Sequence, residues 1–276
     1  MEKTKQINEK FLEEYVSDDA VRKYTTGTAG FGINYLLRND YARVYLSVVD
    51  SCLQTSPRRP LRLLEFGCGG GMNIIGLVSL LDKKGISVES AYGTDFSPRL
   101  VQSAVQEAKA SLAPGLAEKL TFQVARNERL VEDLAVAHGR PVEDLVGSFD
   151  LIMGVNTFRY CHRLGKQQDC AADIYRLLRA GGVCINIDMN NRFPAFRSRL
   201  KRSVEDPAES YLPTLEEYAS PFETARFEII QKKNFCWIPH SAGFALTLCC
   251  RLASPLLDLV APTRAMRSLV VARKPA

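Results

Sequence analysis

Residues 63–71 read LLEFGCGGG, and this stretch decides the fold that the sequence predicts. The apolar run LRLLEF (61–66) is typical of a buried strand, and a helical pattern, MNIIGLVSLL, begins directly after the glycines. Gly67, Gly69 and Gly71 permit a sharp turn and let a ligand approach the backbone closely, because glycine has no Cβ. The stretch therefore predicts a strand, a ligand-binding turn and a helix.

An acidic residue stands at the end of the next predicted strand. VESAYGTDF carries Asp95, 28 positions after Gly67. In a doubly wound sheet such a carboxylate lies beside the glycine turn and can accept hydrogen bonds from both ribose hydroxyls of a nucleoside. Ser97 is a typical helix N-cap, and Pro98 is typical of a first helical position. The pattern predicts a nucleoside site; the alternative is a turn without a ligand and an acid that only caps a strand.

Five further runs are predicted as strands. They are LTFQVA (120–125), FDLIMGV (149–155), GVCINIDM (182–189), FEIIQKKNFCW (227–237) and MRSLVVARK (266–274). Strands that alternate with helices predict right-handed βαβ units. The fold class is therefore α/β: a doubly wound, mostly parallel seven-stranded sheet with helices on both faces. Residues 1–55 are expected to form a helical N-terminal lid, residues 56–276 a Rossmann-like core, with a helical insertion before the last strand.

Composition excludes several classes of protein. The chain has 276 residues, 46% hydrophobic and 24% charged, so neither a disordered nor a fibrous protein is expected. Its net charge of +5 is weaker than nucleic-acid binders usually show, which makes a nucleic-acid partner unlikely. Eight cysteines without a CxxC pair and three histidines give no metal-site spacing, so no metal is predicted. The charged start MEKTKQINEK lacks an apolar signal region, which predicts a cytoplasmic protein.

The glycine turn favours a cationic cofactor over a dinucleotide. Met72 stands where the dinucleotide fingerprint prefers a glycine. Glu65 lies two residues before Gly67, and a fixed negative charge there would repel a pyrophosphate. The same charge suits the ammonium and sulfonium groups of S-adenosylmethionine.

Four segments resemble, in order and spacing, the successive motifs of class I S-adenosylmethionine-dependent methyltransferases. They are LLEFGCGGG, AYGTDFSPRLV, SFDLIMGVNTFRYCH and DIYRLLRAGGVCINI. The resemblance covers residues 61–190 well and the last two strands loosely. It implies a Rossmann-like fold, S-adenosylmethionine as cofactor, and methyl transfer to an oxygen or nitrogen of a small-molecule acceptor. That acceptor is expected to be apolar, amphiphilic or anionic, and a homodimer is compatible with this reading.

The resemblance also implies which residues bind the cofactor. Where family members often carry Asp-Ala after the third strand, this sequence has Arg126-Asn127-Glu128, so the adenine contact falls to Asn127 or Glu128. The matching positions are Glu65, Gly67, Cys68 and Gly69 for the methionine end, Asp95 for the ribose, Phe96 and Ser97 beside the adenine, and Gly154, Val155 and Asn156 beneath the methyl group.

Four aromatic and histidine residues are candidates for roles beside the cofactor. Tyr24, next to the glycine-rich stretch YTTGTAGFG, is the preferred residue of a lid that closes over the cofactor. His162, Tyr160 and His240 are the candidate bases, because a base with a pKa near neutrality helps when the acceptor is a hydroxyl or a protonated amine. For His162 the alternative is a surface histidine at a helix start, and for His240 it is packing within a rigid loop.

Two segments, near 190–222 and 239–262, are expected to shape the acceptor site. RFPAFRSRLKR (192–202) is basic, and it either receives an anionic substrate, touches a membrane surface or forms a solvated helix face. AGFALTLCCRLASPLLDLVA (242–261) is predicted as a buried helical insertion over the acceptor pocket. A peripheral membrane contact is its less favoured alternative, and a spanning helix is excluded by its charges and Pro255.

Two rival functions remain at this point. The chain could hold the cofactor without catalysis, or act as a partner subunit, although nothing in the glycine loop departs from the pattern. The second rival is a nucleotide-dependent oxidoreductase, and both Met72 and Glu65 argue against it. A nucleic-acid methyltransferase is disfavoured because Asn156-Thr157-Phe158 is not an NPPY-type motif.

Overall fold

A seven-stranded mixed sheet forms the centre of the protein, in a computed structural model that describes residues 30–53, 59–194 and 212–276. The strand order is β3-β2-β1-β4-β5-β7-β6. The strands are β1 (Leu61–Phe66), β2 (Val88–Asp95), β3 (Leu120–Val124), β4 (Phe149–Val155), β5 (Leu178–Met189), β6 (Glu228–Phe235) and β7 (Arg267–Arg273).

The five strands β1 to β5 are parallel, and β7 runs antiparallel between β5 and β6. Every residue of β4 is buried, as expected for a central strand covered on both faces. The predicted α/β class and mostly parallel doubly wound sheet are therefore confirmed. The chain order places β1 and β4 side by side at the point where the strand order reverses, and ligands bind in the crevice at such a point.

Helices cover both faces of the sheet. Apolar residues of α1, α2 and α3 pack on one face, and those of α6, α8 and α9 pack on the other. The helices are α1 (Phe31–Arg38), α2 (Asp40–Val48), α3 (Met72–Lys83), α4 (Pro98–Ser111), α5 (Pro114–Ala117), α6 (Leu130–His138), α7 (Phe158–Arg163), α8 (Gln167–Leu177), α9 (Leu215–Thr224) and α10 (Phe244–Val260).

The helical run before the sheet is divided at Asn39. Apolar spacing from Tyr35 to Leu53 predicts one helix, whereas the structure has α1, a break at Asn39, then α2 and a π-helical turn, Val49–Leu53. Asn39 has φ −123° and ψ −74°, outside helical values, and its side-chain amide donates to Tyr35 O at 2.9 Å. A side chain that bonds to the preceding turn competes with the helix at this point.

The insertion before the last strand is a helix, but its outer side is exposed. α10 presents only Thr247 as a fully buried residue, and Leu252 and Leu259 are 74% and 79% exposed. The helix contacts α1 and the 3-10 turn Pro262–Arg264 along one narrow side, with Phe244 edge-on to Phe31 at 5.3 Å. Apolar side chains lie on more of the helix surface than these contacts cover. The prediction of a buried insertion is therefore wrong for the described residues.

Two predictions concern residues outside the described ranges: Tyr24 as a lid residue, and most of the basic segment 192–202. Within the described ranges, no helix, α10 included, combines the length and apolar character that a membrane span needs.

Candidate active site

The glycine turn after β1 adopts a backbone that only glycine accommodates easily. Gly67, Gly69 and Gly71 have φ values of 60°, 55° and 83°, in the left-handed region. A Cβ on Gly67 would fall 1.9 Å from Thr157 Oγ1, at the end of β4. The turn is therefore packed between the helix that follows it and the loop after β4. The lack of side chains lets a ligand approach its backbone.

Asp95 ties the end of β2 to this turn. Its carboxylate accepts the Gly69 N–H at 2.9 Å through Oδ2 and the Ser97 N–H at 2.9 Å through Oδ1. Each oxygen keeps a second lone pair for a further donor such as a ribose hydroxyl. Burial raises the pKa of Asp95 to about 6, although both N–H donors oppose that rise. Ser97 also caps α4 by accepting the Leu100 N–H, as its position predicts.

Glu65, the other acid of the turn, is fully buried at the end of β1. Its Oε2 accepts the N–H of Ile74 in the first turn of α3 at 2.9 Å. Burial raises the pKa of Glu65 to about 8, while the Ile74 N–H and the Asn73 side chain oppose the rise. The carboxyl is therefore largely protonated near neutral pH in the free protein. Burial therefore opposes, in the free protein, the fixed negative charge that the sequence predicts at Glu65.

Helix α2 carries two buried tyrosines, Tyr41 and Tyr45, one helical turn apart. Tyr45 is almost fully buried, and its hydroxyl donates to Asn73 Oδ1 at 3.4 Å. Burial raises the pKa of Tyr45, and the nearby Glu65 carboxyl raises it further. The Tyr41 hydroxyl lies 3.3 Å from His240 Nε2. Burial raises the pKa of Tyr41 to about 12, so its hydroxyl stays protonated.

The candidate adenine contacts lie between the ends of β2, β3 and β4. Asn127 donates from Nδ2 to Thr157 Oγ1 at 2.8 Å, which joins the β3 loop to the β4 loop. Glu128 lies 3.5 Å from Arg126 in an ion pair that reaches solvent. Phe96 is half-buried beside Asp95. Asn127 is thus the candidate held toward the turn, while Glu128 is drawn toward Arg126.

Asn156 has a strained backbone at the end of β4. Its φ of 56° is uncommon for a residue other than glycine, and its N–H donates to Ile187 O at 2.7 Å. Its side-chain Oδ1 accepts from Arg267 Nη1 at 2.9 Å. Such strain concentrates at functional sites. Gly154, two residues earlier, has a packing reason instead, because a Cβ there would fall 2.2 Å from the Phe66 ring.

His162 lies in an aromatic cluster on α7. Its ring is edge-on to Phe158 at 5.1 Å and to Tyr218 at 5.5 Å. Burial lowers its pKa to about 4, so the ring is neutral at physiological pH and a weak base. The described contacts bring it together with packing residues rather than with the glycine turn.

Tyr160 and His240 have different surroundings. The Tyr160 hydroxyl accepts from Arg159 Nη2 at 2.7 Å, and the guanidinium carbon lies 4.6 Å from the Tyr160 ring centre. His240 is in the loop between β6 and α10, next to α1: a Cβ on Gly32 would fall 2.9 Å from His240 O. Of the three candidate bases, His240 is the one hydrogen-bonded to a tyrosine of α2.

Three charged residues at this edge of the sheet were not predicted: the partly buried Arg159 and the fully buried Asp188 and Arg267. The Asp188 carboxylate accepts the backbone N–H of Arg159 at 2.9 Å and that of Met189 at 2.8 Å. An acid at the end of the fifth strand, GVCINIDM, was a signal available in the sequence. The sequence around Arg267 contained no such signal, because Arg267 lies near the site only as a result of the antiparallel pairing of β7.

Comparison with known proteins identifies the central part of the chain. Residues 64–184 match the family model described as a methyltransferase domain. A segment of 134 residues, 49% of this chain, is 31% identical to the non-reducing polyketide synthase sorB of Penicillium rubens. The chain spans only 4% of that much longer protein.

Solved structures share the fold at low sequence identity. The CMeT domain of the citrinin polyketide synthase superposes with a TM-score of 0.62 at 16% identity, over 96% of this chain and 59% of that one. Magnesium protoporphyrin IX methyltransferase from Synechocystis PCC 6803, solved with bound S-adenosylhomocysteine, gives a TM-score of 0.60 at 14% identity, over 97% of this chain and 99% of that one.

Proposed function

We propose that this chain is an S-adenosylmethionine-dependent methyltransferase that methylates a small-molecule acceptor at an oxygen or a nitrogen, and the match of residues 64–184 to a methyltransferase domain supports this. One observation carries the proposal most directly. Two buried acids, Glu65 and Asp95, lie at the ends of adjacent strands; Asp95 accepts a backbone N–H of the glycine turn, and Glu65 accepts one of the helix that follows it. This pairs a ribose-binding acid with a second carboxyl suited to a cation.

The residues of the turn fit S-adenosylmethionine. Gly67 and Gly69 have left-handed φ values that disfavour a side chain, and the Asp95 oxygens keep lone pairs for the ribose hydroxyls. Glu65 would ionise opposite the positively charged methionine end. We assign Cys68 to the same loop, Phe96, Ser97, Asn127 and Glu128 to the adenine side, and Gly154 and Asn156 to the end of β4.

The bound cofactor would supply a methyl group activated by its sulfonium. The protein then has to align the acceptor and exclude water, and positioning of this kind lowers barriers by about 7–11 kcal/mol. Asn156, held by Arg267 and by Ile187 O, would fix the floor of that site. The Tyr45 hydroxyl on α2 bonds to Asn73 just after the turn, which supports a lid role for residues 1–55 above a core at 56–276.

A small acceptor is supported by the burial of the polar groups around Asn156. Arg267, Asp188 and Tyr41 are all fully buried, so an acceptor that reaches them has to be small. His240, bonded to Tyr41, is the base that we favour for a hydroxyl or amine acceptor, ahead of Tyr160 and His162. The low pKa of His162 argues against it.

A carbon acceptor is the second candidate. The likeness of 134 residues to a polyketide synthase favours it, because polyketide chains carry acidic carbons between carbonyl groups. In that case an enolate, rather than a hydroxyl or an amine, would attack the methyl group.

Methyl transfer can be measured with S-adenosylmethionine that carries a labelled methyl group. The protein is incubated with phenols, amines, carboxylic acids and β-diketones, and the products are analysed by mass spectrometry. Transfer of label to one of these classes supports the proposal, and the position of the label distinguishes oxygen, nitrogen and carbon. Cofactor binding without transfer to any of them would favour a non-catalytic cofactor-binding or partner subunit instead.

A further inference from the structure

Two arginines, the fully buried Arg267 and the partly buried Arg159, lie at the carboxyl edge of the sheet, beyond the glycine turn. Arg159 follows β4 in α7, and Arg267 begins β7. Both lie close enough to Asp188, at the end of β5, to lower the pKa of its carboxyl. The cofactor-binding roles proposed above use neither guanidinium.

Arg267 is fully buried, yet most of its donors are unused. A guanidinium has five N–H donors. Nη1 donates to Asn156 Oδ1, whereas Nε and Nη2 are buried with no hydrogen-bond acceptor among the described residues. A buried charged group with unpaired donors is costly unless an acceptor or a counter-charge reaches it.

Arg159 shows the same incomplete pairing. Its Nη2 donates to the Tyr160 hydroxyl at 2.7 Å. Its Nη1 lies 3.7 Å from Asp188 Oδ1, too far for a hydrogen bond, and has no other acceptor within the described part of the chain. Each Asp188 oxygen accepts one backbone N–H, from Arg159 or from Met189, and neither accepts a hydrogen bond from a guanidinium.

The charges of this cluster do not balance. Two guanidinium groups, permanently positive, share one carboxylate, Asp188. Burial raises the pKa of that carboxyl, while both guanidinium groups lower it. The cluster therefore has an excess of positive charge and at least three free N–H donors, on Arg159 and Arg267, beside Asn156.

We propose that Arg159 and Arg267 bind a negatively charged oxygen on a trigonal carbon of the methyl acceptor, that is, a carboxylate or an enolate oxygen. This inference rests on the proposed function, because it places that oxygen beside Asn156, where the methyl group would be delivered. The two arginines would be specificity-determining residues that select an anionic acceptor. They would also hold the negative charge of the acceptor opposite the positive charge of the sulfonium. Both charges disappear in the reaction, because the acceptor forms a bond to the methyl carbon and the electron pair of the broken S–CH3 bond stays on sulfur.

The test measures acceptor binding rather than turnover. Protein saturated with S-adenosylhomocysteine is titrated with benzoate, a carboxylate, with acetylacetone, an enolisable diketone without a carboxylate, and with neutral benzamide. The wild type is expected to bind one of the first two at least about tenfold more tightly than benzamide, since hydrogen bonds to a charged group are worth more than neutral ones. Which of the two binds separates a carboxylate from an enolate acceptor.

Single variants then test the two arginines. Arg267→Gln and Arg159→Gln are each expected to lose about tenfold or more of that preference, and Arg267→Lys to retain part of it. Arg264→Gln is the matched control, because Arg264 is exposed three residues before Arg267. If Arg267→Gln does not fold, Arg159→Gln, at a side chain that reaches solvent, carries the test alone.

The outcomes separate this inference from the proposed function. Unchanged affinity for S-adenosylhomocysteine with loss of the anion preference supports both. A wild type that binds the homocysteine derivative but shows no preference for either anionic probe overturns this inference alone, as does a preference that survives in both variants. A wild type that does not bind S-adenosylhomocysteine overturns the proposed function itself.

Discussion

The backbone N–H of Gly69 donates to Asp95 Oδ2 at 2.9 Å, and this bond joins the turn after β1 to the end of β2. A glycine is favoured at position 69 because its φ is 55°. The bond sets the carboxylate at the rim of the turn, with lone pairs left for a ribose. The account of the cofactor site depends on this geometry.

Asp95→Ala is expected to weaken S-adenosylmethionine binding more than tenfold. The substitution removes the acceptor of the ribose hydroxyls, and it also leaves the N–H groups of Gly69 and Ser97 without their partner. The loss of free energy is therefore larger than that of a single hydrogen bond. Calorimetry on the folded variant measures the loss. Asp82→Ala, at an exposed aspartate in α3, is the control and should bind as the wild type does. Equal affinity in Asp95→Ala would show that the ribose lies elsewhere.

Cofactor affinity should depend on pH through Glu65. The pKa of this carboxyl is about 8 in the free protein, so below that pH a proton must leave before the carboxylate can face a cation. Affinity for S-adenosylmethionine should therefore rise as the pH increases from about 6 to about 8. Titrations across this range measure it. Glu65→Gln should bind more weakly and lose most of this dependence, and a parallel slope in the variant would contradict the assignment.

The stability of the free protein should fall with rising pH over the same range. The folded-state pKa values of Glu65 and Asp95 are about 8 and about 6, above their ordinary values of 4.5 and 3.8. Groups with raised pKa values stabilise the fold fully below the ordinary pKa, and this stability is lost as the pH rises through the folded-state pKa. Urea unfolding from about pH 5 to 8 should show the decline, with a shallower slope in Glu65→Gln. A free energy of unfolding that rises over this interval would contradict these pKa directions.

Gly67→Ala should damage both the fold and the cofactor site. Its φ of 60° disfavours any side chain, and the new Cβ would fall 1.9 Å from Thr157 Oγ1. We expect a loss of about 1–3 kcal/mol in the free energy of unfolding, the usual cost of such strain, together with weaker cofactor binding. Gly76→Ala, inside α3 with open space around it, is the control and should be neutral or stabilising. Equal effects of the two substitutions would show that the turn tolerates a side chain.

The sequence predicts well what depends on local pattern. Strands β1 and β4 have the predicted boundaries, 61–66 and 149–155, because a short apolar run between turns leaves little choice. Asp95 stands where the strand order implies, since parallel neighbouring strands end at one edge of the sheet. The insertion before β7 was also predicted as a helix.

What the sequence did not predict depends on contacts between distant residues. Tyr41 and His240 are 199 positions apart, and they meet only because α1 packs against the loop that precedes α10. Arg267 reaches Asn156 because β7 inserts antiparallel beside β5. The protonation of Glu65 follows from how deeply its strand is buried, and the exposure of α10 follows from a single contact side. None of these is a property of a local pattern.

Calorimetric titration of the wild-type protein with S-adenosylmethionine, S-adenosylhomocysteine and NAD tests the central claim most directly. The acids and glycines of the turn predict one site per chain for each sulfur compound and no comparable binding of NAD. Absence of binding heat with both sulfur compounds, over a range of temperatures in which the protein stays folded, would contradict the account.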